Sequence, residues 1–125
     1  MILGVGTDLM EIARIQQSIA RFGDRFLQRI FTSSEILYCR RKKNAAESFA
    51  ARFAAKEAGA KALGTGISHG VTWLEVEVAR EPSGKPLLKL TGRAADRARS
   101  LGVTRISLSL THSRDTALAV VIMES

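Results

Sequence analysis

Residues 47–62 read ESFAARFAAKEAGAKA, the longest unbroken helical pattern in the chain. Within this stretch Phe49, Phe53, Glu57 and Lys61 are spaced four residues apart. Each step of four turns only about 40° around a helix, so these side chains form one slowly drifting stripe. The aromatic end predicts contact with a core. The charged end is either an exposed Glu–Lys pair, worth a few tenths of a kcal/mol, or a carboxylate at the edge of the core that needs a cation.

The remaining sequence predicts an α+β fold with an antiparallel sheet packed against this long helix. Residues 2–9 indicate a strand in which Gly4 and Gly6 allow a bulge or close approach by another segment. A capping box, Thr32 with Glu35, begins a helix. Alternation predicts strands at residues 71–79, 87–91, 104–111 and 116–123, the last of them central, and a basic helix at residues 92–102. We expect one domain spanning residues 1–125.

The composition favours an ordinary globular protein with a basic surface. Nineteen Lys and Arg against twelve Asp and Glu give a net charge of +7, which attracts polyanions without choosing among them. No apolar run reaches the roughly 20 residues that span a bilayer, and the first residues lack the pattern of a signal peptide. The one cysteine, Cys39, cannot form an intrachain disulfide. We therefore expect a cytoplasmic protein without a membrane segment.

Two carboxylates stand where they could bind a metal ion. Asp8 follows the glycines of the first strand, and Glu57 lies in the middle of the long helix. Mg²⁺ typically takes one or two carboxylates, several waters and substrate phosphates, so this pair on a basic protein is compatible with a metal–phosphate complex. The alternative for Asp8 is a helix cap preceding Glu11.

Three further features have both structural and functional interpretations. His112 follows a strand and opens a turn, where a histidine is more often structural or solvated than catalytic. Lys61 could contact a phosphate, accept a proton, or be half of an ion pair. Gly64 and Gly66 flank Thr65, and such a loop could turn backbone N–H groups toward an anion, although this short pattern is weak evidence.

Several motifs together resemble the 4′-phosphopantetheinyl transferases, and more narrowly the small holo-[acyl-carrier-protein] synthase type. The similarity covers nearly the whole chain in order, and it is carried by GTDLMEIAR (6–14), FTSSE (31–35), RFAAKEAGAKA (52–62), GTGI (64–67), SGKP (83–86) and SLTHS (109–113). The resemblance implies the corresponding fold. It also implies Mg²⁺-dependent transfer of 4′-phosphopantetheine from coenzyme A to a serine of apo-acyl carrier protein, releasing adenosine 3′,5′-bisphosphate, in fatty acid biosynthesis.

The resemblance also assigns roles to residues. It implies that Asp8 and Glu57 bind the metal and that Glu57, Lys61 and His112 are catalytic. Coenzyme A would contact residues in three parts of the chain: Lys61, Gly64, Thr65, Gly66, Pro86 and His112. Some relatives have an acidic residue after the histidine, whereas this chain has Ser113, which makes water more plausible there than a third protein carboxylate.

For partners, the resemblance implies an acidic acyl carrier protein that docks on Arg14, with Arg21 and Arg25 as plausible additions, and a homotrimer with active sites between subunits. The sequence leaves open which carrier proteins are served. It also leaves open whether Lys61, Glu35, His112 or a water on the metal accepts the serine proton.

The main alternative from another class is a small basic protein that binds nucleic acid through its charge and the Arg40–Lys43 run. Only seven aromatic residues are available for stacking on bases, and this hypothesis leaves Asp8 and Glu57 unexplained. A structural trimer without catalysis leaves the same carboxylates unexplained. We therefore expect no nucleic-acid partner.

Overall fold

A computed structural model describes all residues, 1–125, of the chain. Its elements, in order, are β1 (Ile2–Glu11), α1 (Ile12–Phe22), α2 (Asp24–Ile30), α3 (Ser33–Arg40), α4 (Ala45–Ala62), a short 3₁₀ turn (Trp73–Glu75), β2 (Val76–Arg80), β3 (Pro86–Leu90), α5 (Gly92–Leu101), β4 (Arg105–His112) and β5 (Thr116–Glu124). None of the helices combines the length and hydropathy required to cross a membrane.

The strands form two antiparallel sheets. One has three strands in the order β1-β5-β4, and the other is the hairpin β2-β3. The predicted α+β class is confirmed, and the final strand is central as expected. The helix α4 packs on the three-stranded sheet and contributes buried residues to both clusters of the hydrophobic core. This helix therefore connects the two parts of the core.

The glycines of β1 explain how closely that strand approaches α4. A Cβ atom added to Gly4 would overlap the carbonyl oxygen of Ala62, and one added to Gly6 would overlap that of Ala58. No side chain fits between the two backbones, so the predicted close approach is confirmed. The strand also has an irregularity in its register between Ile2 and Gly4.

One strand prediction is wrong in its first half. Residues 71–79 alternate like a strand, but Trp73–Glu75 form a 3₁₀ turn and β2 begins only at Val76. The carboxylate of Glu75 accepts hydrogen bonds from the backbone N–H groups of Thr72 at 2.9 Å and Arg93 at 2.8 Å. These bonds hold the chain in a turn, and alternation alone does not reveal them.

Lys56 is a fully buried lysine in α4. Its Nζ lies 2.7 Å from Glu35 Oε1, and neither side chain is exposed. The same ammonium donates to the carbonyl oxygens of Trp73 at 3.0 Å and Val76 at 2.9 Å. Burial lowers the pKa of Lys56, against the opposing effect of the Glu35 carboxylate. The pair connects α4 to the start of β2.

Glu35 completes this buried network from α3. Its Oε1 accepts from the backbone N–H of Thr32, which confirms the predicted capping box, and its Oε2 accepts from the backbone N–H of Val78 at 2.8 Å. Both oxygens are thus bonded and shielded from solvent. Glu35 cannot reach a substrate proton and is excluded as the base.

We expect Lys56→Met to lower the free energy of unfolding by about 3–5 kcal/mol, because it leaves the Glu35 carboxylate buried without its partner. Urea unfolding at one fixed protein concentration measures the loss. Lys43→Met removes the same charge from an exposed position and should change the free energy by no more than about 0.5 kcal/mol. A loss below about 1 kcal/mol for Lys56→Met would contradict the conclusion that the buried Lys56–Glu35 pair stabilises the fold.

Candidate active site

Asp8 lies within β1, on the face of the strand turned toward α4, in the same alternating set as Gly4 and Gly6. Because β1 continues to Glu11, the alternative role of Asp8 as a helix cap is wrong. The Asp8 side chain is 15% exposed. Its Oδ2 atom is buried and has no hydrogen-bond partner. A buried, unpaired carboxylate oxygen is costly, which makes this atom suited to bind a ligand.

Glu57 lies beside Asp8 across the contact between α4 and β1. Burial raises the pKa of Glu57, the Asp8 charge raises it further, and Lys61 lowers it. The interpretation of Glu57 and Lys61 as an exposed ion pair is wrong, because Lys61 Nζ instead lies 3.2 Å from Asp8 Oδ1. The fold thus brings both carboxylates and one ammonium together.

These two carboxylates fit a hard divalent cation such as Mg²⁺. The unpaired Oδ2 of Asp8 is available as a ligand, and Glu57 supplies a second partly desolvated carboxylate. No group of three or more His, Cys, Asp and Glu residues is placed to hold a metal. Mg²⁺ readily completes its octahedron with waters and substrate oxygens, so the absence of a third protein ligand does not argue against it.

His112 lies at the end of β4, on the far side of β5 from the strand that carries Asp8. Its Nε2 is 3.2 Å from Glu47 Oε1, near the N-terminus of α4. Glu47 and Glu57 are ten residues apart on one helix, a separation of about 15 Å. Within one chain, His112 is therefore not in contact with Asp8 or Glu57, and its catalytic role stays a prediction.

His112 and Pro86 instead line a cavity of about 260 Å³ on the other half of α4. The cavity also includes residues that sequence reasoning did not single out. They are Tyr38, Glu47, Ser48, Ala51, Arg52, Arg80, Leu110 and Thr111. We call this space the basic cavity, because two arginines and a histidine line it together with one carboxylate.

Arg52 is the most unusual residue of the basic cavity. It is only 4% exposed, its Nε has no hydrogen-bond partner, and its guanidinium lies 4.0 Å from the centre of the Tyr38 ring. Burial raises the pKa of Tyr38, but a hydrogen bond from Lys42 and the charges of Arg80 and Arg52 bring it below the usual value. A buried arginine with a free N–H is suited to an anionic ligand.

In the loop after α4, the backbone N–H groups form hydrogen bonds within the loop and with the end of the helix. The N–H of Gly64 donates to Lys61, and the N–H groups of Thr65 and Gly66 both donate to Ala60. All three are used in ending the helix, because its last carbonyls need partners. The coenzyme A contact expected for Gly64, Thr65 and Gly66 stays a prediction, and in this structure their N–H groups bond within the loop.

The proposed docking arginines form an exposed basic surface. Arg14 and Arg21 lie on α1 and Arg25 on α2, and all three side chains are exposed. The rings needed for the nucleic-acid hypothesis are less available, because Phe49 is buried and the Tyr38 ring is covered by cations.

Comparisons with known proteins identify the family of the chain. Residues 4–121 match the 4′-phosphopantetheinyl transferase superfamily. A holo-[acyl-carrier-protein] synthase of Koribacter versatilis is 57% identical over 124 residues and is covered to 99%, as is this chain.

Two solved structures are also similar. The crystal structure of the Neisseria meningitidis holo-[acyl-carrier-protein] synthase has a TM-score of 0.91 at 37% identity, with all of both chains covered. The Helicobacter pylori synthase, solved in complex with coenzyme A, has a TM-score of 0.85 at 33% identity, covering 96% of this chain and 99% of that one. With a matching family model, close relatives and the same fold, the chain belongs to the 4′-phosphopantetheinyl transferase superfamily, among the holo-[acyl-carrier-protein] synthases.

Proposed function

We propose that the protein transfers 4′-phosphopantetheine from coenzyme A to a serine of apo-acyl carrier protein, with Mg²⁺ as cofactor and adenosine 3′,5′-bisphosphate as the other product. The observation that carries the proposal is the meeting of Asp8, Glu57 and Lys61 at the β1–α4 contact. We further propose that the protein serves fatty acid biosynthesis in the cytoplasm, because its relatives are named for acyl carrier protein.

Asp8 and Glu57 would hold the cation through their carboxylates, one of which has a buried oxygen without a partner. When bound, Mg²⁺ supplies positive charge to the pyrophosphate oxygens on which charge develops during transfer. Lys61 is half-exposed beside them and can donate to a phosphate oxygen. Among side chains, Lys61 and His112 remain the candidates for accepting the serine proton, because Glu35 is fully engaged elsewhere.

The basic cavity is suited to the nucleotide end of coenzyme A. Arg52, Arg80 and His112 can face its phosphates, and Pro86 offers an apolar surface nearby. The Helicobacter pylori relative was solved with coenzyme A bound. Since the basic cavity and the carboxylates lie about 15 Å apart along α4, an active site made by one chain would be divided.

A homotrimer resolves that division, because the carboxylates of one subunit can meet the basic cavity of the next. The face of the three-stranded sheet turned away from α4 has an uncovered apolar patch on β1 and β5. Val5 is 54% and Leu9 63% exposed on β1, and Leu118, Val120 and Ile122 continue this face on β5. Exposed apolar surface of this kind is typical of an interface, and a cyclic arrangement places the same contact at every junction.

The reaction itself provides the first test. Apo-acyl carrier protein, coenzyme A and Mg²⁺ are incubated with the protein, and intact mass shows whether the carrier gains one phosphopantetheine group. We expect EDTA to stop transfer and Glu57→Gln to lower its rate by at least about a hundredfold, because charge at the reacting oxygens is no longer stabilised.

The matched control is Asp96→Asn, which removes an exposed carboxylate on α5 and should leave the rate within about twofold. A carrier that gains no mass with the wild-type protein would refute the proposed function. Full activity in Glu57→Gln would remove Glu57 from the metal site.

Carrier docking is tested separately. We expect Arg14→Glu to raise the KM for carrier protein about tenfold and to weaken its dependence on salt, because a favourable long-range attraction becomes repulsive. Steady-state kinetics should show little change in the KM for coenzyme A. Arg99→Glu, on the exposed face of α5, serves as the control. An equal rise in both KM values would argue against docking at Arg14.

Active sites shared between subunits are tested by mixing two inactive variants. In random trimers of Asp8→Asn and His112→Ala subunits, about a quarter of junctions join an intact carboxylate pair to an intact basic cavity. We expect up to that fraction of wild-type activity after the two variants are refolded together. A mixture of Asp8→Asn and Glu57→Gln subunits should recover no activity. Both substitutions damage the carboxylate pair, so no junction contains an intact pair. Mixed trimers, verified by native mass, that stay inactive would contradict the shared site.

A further inference from the structure

Lys61 binds the carboxylate that the metal needs. Its Nζ lies 3.2 Å from Asp8 Oδ1 and donates to the carbonyl oxygen of Thr7 at 3.1 Å. Asp8 Oδ2, the other oxygen, is buried and unpaired. The ammonium is therefore the one cation paired with Asp8.

The ammonium partly balances a cluster that carries more negative than positive charge. Asp8 and Glu57 bring two carboxylates together, and the Asp8 charge disfavours the ionised form of Glu57. Lys61 supplies a single positive charge beside them. A divalent cation on the same carboxylate would repel the ammonium at close range, so the two cations cannot occupy Asp8 together without a large cost.

The lysine is able to leave. Its side chain is 51% exposed and has a flexible four-carbon stem. Its position on the last turn of α4 is fixed by the helix, but the ammonium is held only by Asp8 and one carbonyl oxygen. Release would free three N–H donors next to the metal.

We propose that Lys61 is a built-in competitor of the metal ion: it occupies Asp8 in the metal-free protein and is released when the metal binds. The inference rests on the proposed function, because it takes Asp8 and Glu57 as the metal ligands. Its consequence is that binding of the metal also makes an ammonium available to the phosphates of the coenzyme. The competition lowers metal affinity before the coenzyme arrives.

The first test is calorimetric titration of the protein with Mn²⁺ in the absence of coenzyme A. We expect Lys61→Met to bind Mn²⁺ about tenfold more tightly than the wild type, a change of about 1.4 kcal/mol, because no ammonium has to be displaced. Lys43→Met removes an equal charge just before the opposite end of α4 and should leave the affinity unchanged.

A second measurement separates displacement from simple repulsion through space. In ¹⁵N-labelled protein, the Lys61 ammonium resonance, identified by its loss in Lys61→Met, should be protected by its bonds to Asp8 and Thr7. Titration with diamagnetic Mg²⁺ should abolish that protection in proportion to metal occupancy. An ammonium that stays protected at saturation would overturn the inference.

The two failures are distinguishable. Tight Mn²⁺ binding that depends on Glu57 but is the same in wild type and Lys61→Met would overturn the competition alone. Absence of Mn²⁺ binding to the wild type would overturn the metal assignment in the proposed function together with this inference.

Discussion

The close contact between β1 and α4 is the constraint on which the active centre depends. Gly4 and Gly6 allow the backbone of the strand to touch the carbonyl oxygens of the helix. Asp8 follows on the same face two residues later, so it meets Glu57 and Lys61 from the last turns of α4. Larger residues at the glycines would push the strand away and separate the two carboxylates.

Regular periodicity was sufficient to predict most of the fold. The strands β4 and β5 have strong repeats that match their buried faces. The helix α4 was predicted from its long unbroken helical pattern, and it is buried on most of its sides. The interval Trp73–Glu75 was predicted wrongly because the Glu75 carboxylate accepts hydrogen bonds from the backbone N–H groups of Thr72, which forms a local capping box, and of Arg93, eighteen positions away. Contacts between residues far apart in sequence leave no periodic signal. The division of the strands into two sheets also depends on contacts of this kind.

Site residues could be predicted where a family motif contained them. They were harder to predict where the role of a side chain depends on which other side chain it contacts in the fold. Asp8 and Glu57 were predicted as metal ligands, and the geometry supports them. The partner of Lys61 was not its helical neighbour but Asp8, 53 positions away in sequence. Arg52 stood in the motif without a role, although an arginine within an apolar helical pattern is a signal that a buried anion partner or ligand is required. Glu47 gave no sign of its contact with His112.

The two faces of β1 have different functions because successive side chains of a strand point to opposite sides. Asp8 points toward α4, and its neighbour Leu9 points to the opposite, apolar face. An insertion of one residue between Gly4 and Asp8 would exchange these faces. Leu9 would then point toward α4, and Asp8 would point to the exposed side of the sheet. An insertion of two would restore the alternation. Length changes in this segment should therefore depend on parity, with even changes less harmful than odd ones, as long as glycine remains where the strand meets the carbonyl oxygens of α4.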